Sequence, residues 1–523
     1  MNGVRSRPSL VARLRARAGG QFVPALLLAA WALLLAAWVL GNPPFAAPDE
    51  SDHYIRAVGV SQGHLIGRAD PGARIGVTPT QVAWTAQEAR LVSLPAGRDP
   101  QAFSCELGPG KHSAACLRTA DLRPPAVTRA TAVGNYQPLP YLLPAVALRG
   151  GGSPPAALRL GRAAEALLAL ALLAIAAFAL YDAASPVVSL LGLLLAVTPM
   201  VIFCAAILNG SAVEIAAAVA FFCCLLRVGR TGTVAARWWA LTAVSGAALA
   251  LSRSTSPAWL VLLMIVAAGW SGPRAFARRW SAGWAPRVAA AVLVLAVALN
   301  RVWEGLYGTH VSLDTFKLHA GLVAGAHEWW RALPELVGKF GYLEVKLPLI
   351  IPVVWFALVL TLLGAAGVAG SLRERLVLTA VVIVGLGVPV VFYAVIVRRT
   401  GGGLQGRHVL ALLVAVPLLA GEALYRNRER AMNGGLRFLT IAIPVAVAVM
   451  QATAWYVNAK RYAVGGSGPT WFLSSAAWSP PVAWWLLLAI AVLGCVFLGA
   501  LALGSPGRRA EDLRPLALEA RGT

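Results

Sequence analysis

Twelve runs of apolar residues, most of them close to the length of a bilayer crossing, constrain this chain more than any other feature. They lie near 22–40, 157–180, 186–208, 211–226, 238–252, 257–270, 288–303, 348–369, 376–397, 408–425, 438–457 and 482–503. The hydrocarbon core takes about 20 apolar residues per helix. The expected fold class is an all-α polytopic integral membrane protein with about 12 transmembrane helices. Hydrophobic residues make up 58% and charged residues 13%. An ordinary globular chain carries about 25% charged residues, so a soluble enzyme and a disordered scaffold are both excluded. Pro199, Pro257 and Gly210 interrupt some of the runs. The first run is too long for a signal peptide and has no small-residue cleavage pattern after it.

The net charge is +23. In a soluble protein it would suggest nucleic acid; here topology explains it, because Lys and Arg collect in cytoplasmic loops. A cytoplasmic N-terminus puts 22 arginines inside, against six Lys or Arg in the short outer loops. The expected organisation is a basic cytoplasmic tail (1–21), a membrane domain (22–503) with long outer loops at 41–156 and 304–347, and a cytoplasmic tail (504–523). Both termini then face the cytoplasm, and all seven histidines lie outside. Cys105 and Cys116 share the first outer loop, where an oxidising compartment permits a disulfide. Cys204, Cys223, Cys224 and Cys495 read as small hydrophobes.

Polar chemistry gathers at a few places in the outer segments. Asp49, Glu50, Asp52, His53 and Arg56 follow the first span within a few residues. In a helix over 49–63, Asp49, His53 and Arg56 share one face, while Ile55, Val58 and Leu65 rest on the bilayer surface. A carboxylate beside a histidine suits a general base or a divalent-metal site; a solvated helix end is the plainer alternative. Asn135 to Tyr141 holds Tyr136 and Tyr141 among prolines, which suits sugar stacking or an interfacial aromatic belt. Glu214 is a carboxylate at membrane depth, functional or a dipole-favoured helix start. Arg253 stands among four hydroxyl residues, fit for a phosphate or a snorkelling position. Arg398, Arg399, Arg407 and His408 flank a triple glycine, against the positive-inside bias, as an anion site or a headgroup contact. Helical periodicity runs from Leu313 to Leu343, with His319 and His327 too loosely spaced for a metal. No phosphate-loop, dinucleotide or zinc-ribbon motif stands out, which sets aside nucleotide-driven pumps and nicotinamide enzymes.

Pro48-Asp49-Glu50, His53, Arg56-Ala57 and then Gly63-His64-Leu65 resemble the bacterial membrane-protein family named domain of unknown function 2142. Pro138 to Tyr141 and Gln405 to His408 resemble it as well, where the family usually has Gly-Arg-Tyr. The resemblance covers roughly 25–455. That family is similar to the GT-C membrane glycosyltransferases, which use polyprenyl-phosphate sugars and keep an acidic base in the first outer loop. The resemblance implies a GT-C-like fold with a small outer region. Arg253 stands where the family often has lysine, and Glu214 where it often has aspartate.

The expected function is sugar transfer from a polyprenyl-phosphate donor to a cell-envelope glycan or lipid acceptor at the outer face of the plasma membrane. Asp49, Glu50 and His53 are the catalytic candidates. Arg56, Tyr136, Tyr141, Glu214, Arg253, Arg407 and His408 are the substrate-binding candidates. A divalent cation, Mg or Mn, is the candidate cofactor, with Asp49, Glu50 and Glu214 as its ligands. A lipid-linked sugar flippase and a non-catalytic envelope-assembly protein are the alternatives.

Overall fold

The computed structural model describes residues 10–103, 112–230, 234–309, 318–431 and 433–504. Helix α1 (Leu10–Gly41) ends just before Pro43-Pro44, which withhold backbone donors and stop it. The chain then builds a small polar layer on the bundle. It consists of α2 (Glu50–Ser61), β1 (Arg68–Ala69), α3 (Pro79–Glu88), β2 (Arg90–Leu94), β3 (Val127–Thr131) and α4 (Leu139–Ala147). The strands form an antiparallel sheet in the order β1-β2-β3, with Arg90 opposite Thr131 and Leu94 opposite Val127.

This layer has its own core. Ile55 and Val58 of α2 pack with Val92 and Leu94 of β2, and with Phe45, Tyr54 and Tyr141. Ile55 and Val58 therefore do not rest on the bilayer. Burial alternates along β2, and its apolar face covers them instead. Leu65 is 47% exposed.

Helix α5 (Pro154–Leu180) re-enters the bundle. Then α6 (Leu191–Ala196) and α7 (Pro199–Ala205) meet at a 65° bend, with Pro199 starting the second. Helix α8 (Gly210–Val228) is buried at every position but Arg227 and forms the centre of the molecule. Around it pack α5, α7, α9 (Ala236–Ala250) and α10 (Ser256–Ser271). Gly246 lets α9 come close: a Cβ there would stand 2.8 Å from the Phe221 ring. Helix α10 turns by 109° into α11 (Pro273–Ser281), which has no buried residue and carries Arg274, Arg278 and Arg279. Helix α12 (Trp284–Tyr307) crosses back to the polar layer.

Helix α13 (Leu318–Ala332) is shorter than the expected 313–343 helix, whose first residues lie outside those described. Past Ala332 the chain forms a 3-10 turn and a hairpin of β4 (Lys339–Phe340) and β5 (Val345–Lys346). The remaining helices are α14 (Ile350–Ala369), α15 (Leu372–Val395), α16 (Leu410–Leu413), α17 (Ala415–Arg426), α18 (Asn433–Val464) and α19 (Trp484–Ala500). Helix α13 packs on α15 through Gly325, where a Cβ would stand 2.6 Å from the Val390 carbonyl oxygen. Helix α19 runs along α1 and α18.

Among the described residues, eight helices are long and apolar enough to cross a membrane, or ten if the pairs α6–α7 and α10–α11 each make one span. The protein is membrane-embedded and mostly helical, with fewer such spans than the twelve expected. The runs near 238–252 and 408–425 account for the difference. They form α9 and the pair α16–α17, of 15, 4 and 12 residues. Each is too short as a single helix to match a hydrocarbon core of about 30 Å, although α9 runs back from the Arg227 end of α8 to Arg253, and α16–α17 run from Arg407 to the Glu422–Arg230 pair. Their apolar side chains cover other helices: α9 packs on α8 and α12, and α17 on α6 and α14.

Candidate functional site

Two left-handed residues, Phe45 (φ 63°) and Asp49 (φ 60°), turn the chain sharply from α1 into α2. Asp49 occupies the cap position but makes no side-chain cap bond. Its carboxylate instead accepts a hydrogen bond from Arg407 Nη2 at 2.9 Å, while its side chain stays 50% exposed. Arg407 is further fixed by Gln405 Oε1, which accepts from its Nε at 2.7 Å.

Glu50 points the other way. Arg162 of α5 donates to both its oxygens, and the Leu208 N–H adds a bond at 3.1 Å. Neither side chain of the pair has any exposed surface. Arg162 also donates to the carbonyls of Asn42 and Pro43. Glu50 therefore ties the α1–α2 turn to α5 and does not reach the cavity described next.

A cavity of about 740 Å³ lies between the polar layer and the bundle. Asp49, His53, Tyr136, Arg253, Arg407 and His408 line it, drawn from four separate stretches of sequence. Arg56, Tyr141 and Glu214 stand directly behind its wall. The Tyr141 hydroxyl lies 2.7 Å from His53 Nδ1 and its ring stacks on the imidazole. Arg56 donates to the Tyr136 carbonyl at 2.8 Å and lies 5.7 Å over the Tyr141 ring. Glu214 accepts from Ser256 Oγ at 2.7 Å and sits 3.8 Å from Arg253. Arg253 in turn donates to Ser211 Oγ at 3.0 Å and covers the Tyr136 ring at 5.7 Å. Asn300 holds the Arg253 loop by donating to the carbonyls of Ala250 and Arg253.

The glycine-rich loop closes one side. Gly401 (φ 70°) sits so near α3 that a Cβ would stand 2.6 Å from the Gln81 nitrogen. Gly406 donates to Glu335 Oε2 at 3.0 Å. The Asn135–Gln137 segment latches onto the end of α12. Trp303 donates to the Asn135 carbonyl, Asn135 to the Tyr307 carbonyl, and Gln137 to Glu304.

Several lining residues carry displaced titrations. Burial holds His53 down at about 3, with Arg407 and Arg253 adding to the effect and Asp49 opposing it. Burial also lowers His408 well below its ordinary value, again helped by Arg407 and Arg253. Burial raises Asp52 to about 6 against the bond from the Ala132 N–H, with Asp49 adding to the rise. Burial raises Glu88 to about 7 against bonds from Trp84 and Thr309, with Glu304 adding to the rise. Both imidazoles are thus neutral at pH 7.

Asp52, Glu88, Arg301 and Glu304 line the cavity without having been singled out as site residues. Asp52 belonged to the acidic run, but its selection over Glu50 depends on which of the two finds Arg162. Glu88 and Arg301 had no local signal beyond their charge. The proposed metal ligands are not brought together: Asp49, Glu50 and Glu214 each sit against a different arginine. Among the described residues no three His, Cys, Asp or Glu side chains are grouped to hold a metal ion. This donor set does not fit a resident divalent cation. Cys116 is disulfide-bonded, and its expected partner Cys105 lies outside the described residues. His310 and Asp314 also lie outside them. His319 and His327 are exposed on α13.

A family described as predicted membrane protein (DUF2142) matches residues 32–416. No curated protein and no solved structure matches the chain.

Proposed function

Because the chain belongs to the DUF2142 family of membrane proteins, we propose that its polar cavity is a membrane-facing active site, and that the protein is a GT-C-like glycosyltransferase. Its donor is a polyprenyl-phosphate sugar and its acceptor a cell-envelope glycan or lipid. The observation that carries this reading is the two-sided lining of one cavity. Arg253, Arg301, Arg399 and Arg407 supply positive charge, and Asp49, Asp52 and Glu88 supply carboxylates. Such a lining suits a reaction in which a phosphate leaves and a hydroxyl gives up a proton.

In this mechanism the acceptor hydroxyl oxygen attacks the anomeric carbon of the donor. The bond from that carbon to the phosphate oxygen breaks, and the polyprenyl phosphate departs with the electron pair. Arg253 and Arg407 face its growing negative charge. Asp49, half exposed and on the cavity wall, takes the acceptor proton. His53 and His408, kept neutral, can donate hydrogen bonds without competing as bases. Tyr136 gives the sugar an aromatic face. No divalent ion enters any step.

The polar layer faces outward in this reading, at the plasma membrane, and both termini face the cytoplasm. The excess of arginine in the opposite loops supports that orientation, as does the oxidised state of Cys116. Purified protein supplied with a panel of radiolabelled polyprenyl-phosphate sugars tests the reading. Wild type is expected to transfer label, and Asp49→Asn to lose about two to four orders of magnitude of rate, as for a removed general base. Absence of transfer from every donor by a protein that binds polyprenyl phosphate would favour a flippase.

A further inference from the structure

A second cavity, of about 620 Å³, lies between α10 and α15. It is a slot with an almost wholly apolar wall, formed by Trp259 and Leu262 on one side and Val384, Val388 and Phe392 on the other. The slot is continuous with the polar cavity. Ser254, Thr255, Arg301, Phe392, Val395 and Ile396 line both. At this threshold Arg301 reaches out from α12 to the Ser254 carbonyl, donating at 2.8 Å.

An apolar slot that lies between membrane helices and leads to an arginine threshold fits one kind of molecule. That molecule has a single apolar chain and an anionic head. We propose that the α10–α15 slot is the chain-binding site of a single-chain lipid phosphate, whose phosphate rests at Arg301, Ser254 and Thr255 while its chain lies along Trp259 and Phe392. This rests on the transferase reading and adds the route of the donor: the lipid comes in from the bilayer between α10 and α15. It also assigns Arg301 a role, as the cation at the step from slot to cavity. A free phosphate or a sugar nucleotide would have no use for the slot.

Gly387 makes the test clean. It lines the slot, and a Cβ there would meet nothing within 4 Å. Gly387→Phe therefore sets a ring into the slot from a position whose Cβ has open space. Gly364 of α14 has equally open surroundings away from the slot and serves as the control, as Gly364→Phe. The full chain in nanodiscs would be photolabelled with a decaprenyl phosphate bearing a chain diazirine, and the labelled peptides mapped.

Label is expected on α10 and α15 in wild type and Gly364→Phe, reduced about tenfold or more in Gly387→Phe and in Arg301→Ala. Label elsewhere, or undiminished in Gly387→Phe, overturns the proposal. So does full displacement by excess phosphatidylglycerol, which would make the slot a general phospholipid site. The two readings fail separately. Specific label in the slot with no sugar transfer sinks the transferase and leaves the slot. Transfer that survives Gly387→Phe sinks the slot and leaves the transferase.

Discussion

Asp49 and Glu50 are neighbours in sequence and opposites in environment. Asp49 looks into the cavity with half its side chain exposed, and Glu50 is sealed against Arg162. Their substitutions should separate cleanly. Glu50→Gln leaves Arg162 buried without its counter-charge, a loss of about 3–5 kcal/mol for a broken buried pair. It is expected to lower the detergent melting temperature and yield well below those of Asp49→Asn, whose carboxylate is half exposed; thermal melts of the two variants decide this. The acidic run was legible because carboxylates are rare in so apolar a chain. Which carboxylate faces the site was not, since Arg162 lies over a hundred residues further on within an apolar helix.

The displaced titrations give a second residue-scale test. Glu88 has a folded value near 7 against an ordinary 4.5, so the folded state binds the extra proton. Its contribution is complete below about pH 4.5 and lost as pH rises through 7. Relative to wild type, Glu88→Gln should therefore gain stability as pH rises from 5 to 8. His408 is lowered, so its contribution is present above about 6.5 and lost as pH falls. His408→Asn should gain relative to wild type as pH falls towards 5. Melting curves across pH would refute the assignment if either slope had the opposite sign.

Among the elements, the glycine-rich loop and α3 depend on each other. Gly401 combines a left-handed backbone with a 2.6 Å approach to α3 that leaves no room for a Cβ. Gly401→Ala is expected to loosen this contact by about 1–3 kcal/mol, seen as faster limited proteolysis between 70 and 90, while Gly402→Ala, with a negative φ, should have little effect. The long helices were legible from apolar length. The β2–β3 sheet was not, because its pairing joins segments more than thirty residues apart and each strand has only five residues. The short helices α9 and α17 fall below bilayer length, and apolar composition alone did not show that. Apolar composition marks burial, and burial against protein and burial in lipid look alike in sequence.

For the whole molecule, the expected sidedness has a direct test. All described free cysteines are buried, so single cysteines introduced on the surface report alone. Asp121→Cys in the polar layer should react with an impermeant maleimide in intact cells. Glu429→Cys beyond α17 should react only after permeabilisation. The reverse pattern would put the cavity in the cytoplasm and remove the transferase reading with it. The convergence of the three polar clusters was only partly legible. Their charges stood out against the apolar background, but the contact between Asp49 and Arg407 spans most of the chain.

The Glu50–Arg162 pair also bears on how the molecule is made. Arg162 grips Glu50 and the carbonyls of Asn42 and Pro43 at once. None of these bonds can form until α5 has left the ribosome and entered the bilayer. While the first loop is being made, the turn that aims Asp49 at the cavity has no anchor. The site is therefore assembled late, by a helix that carries none of its lining residues. Nascent chains released before and after α5 should differ sharply in the protease resistance of residues 42–61.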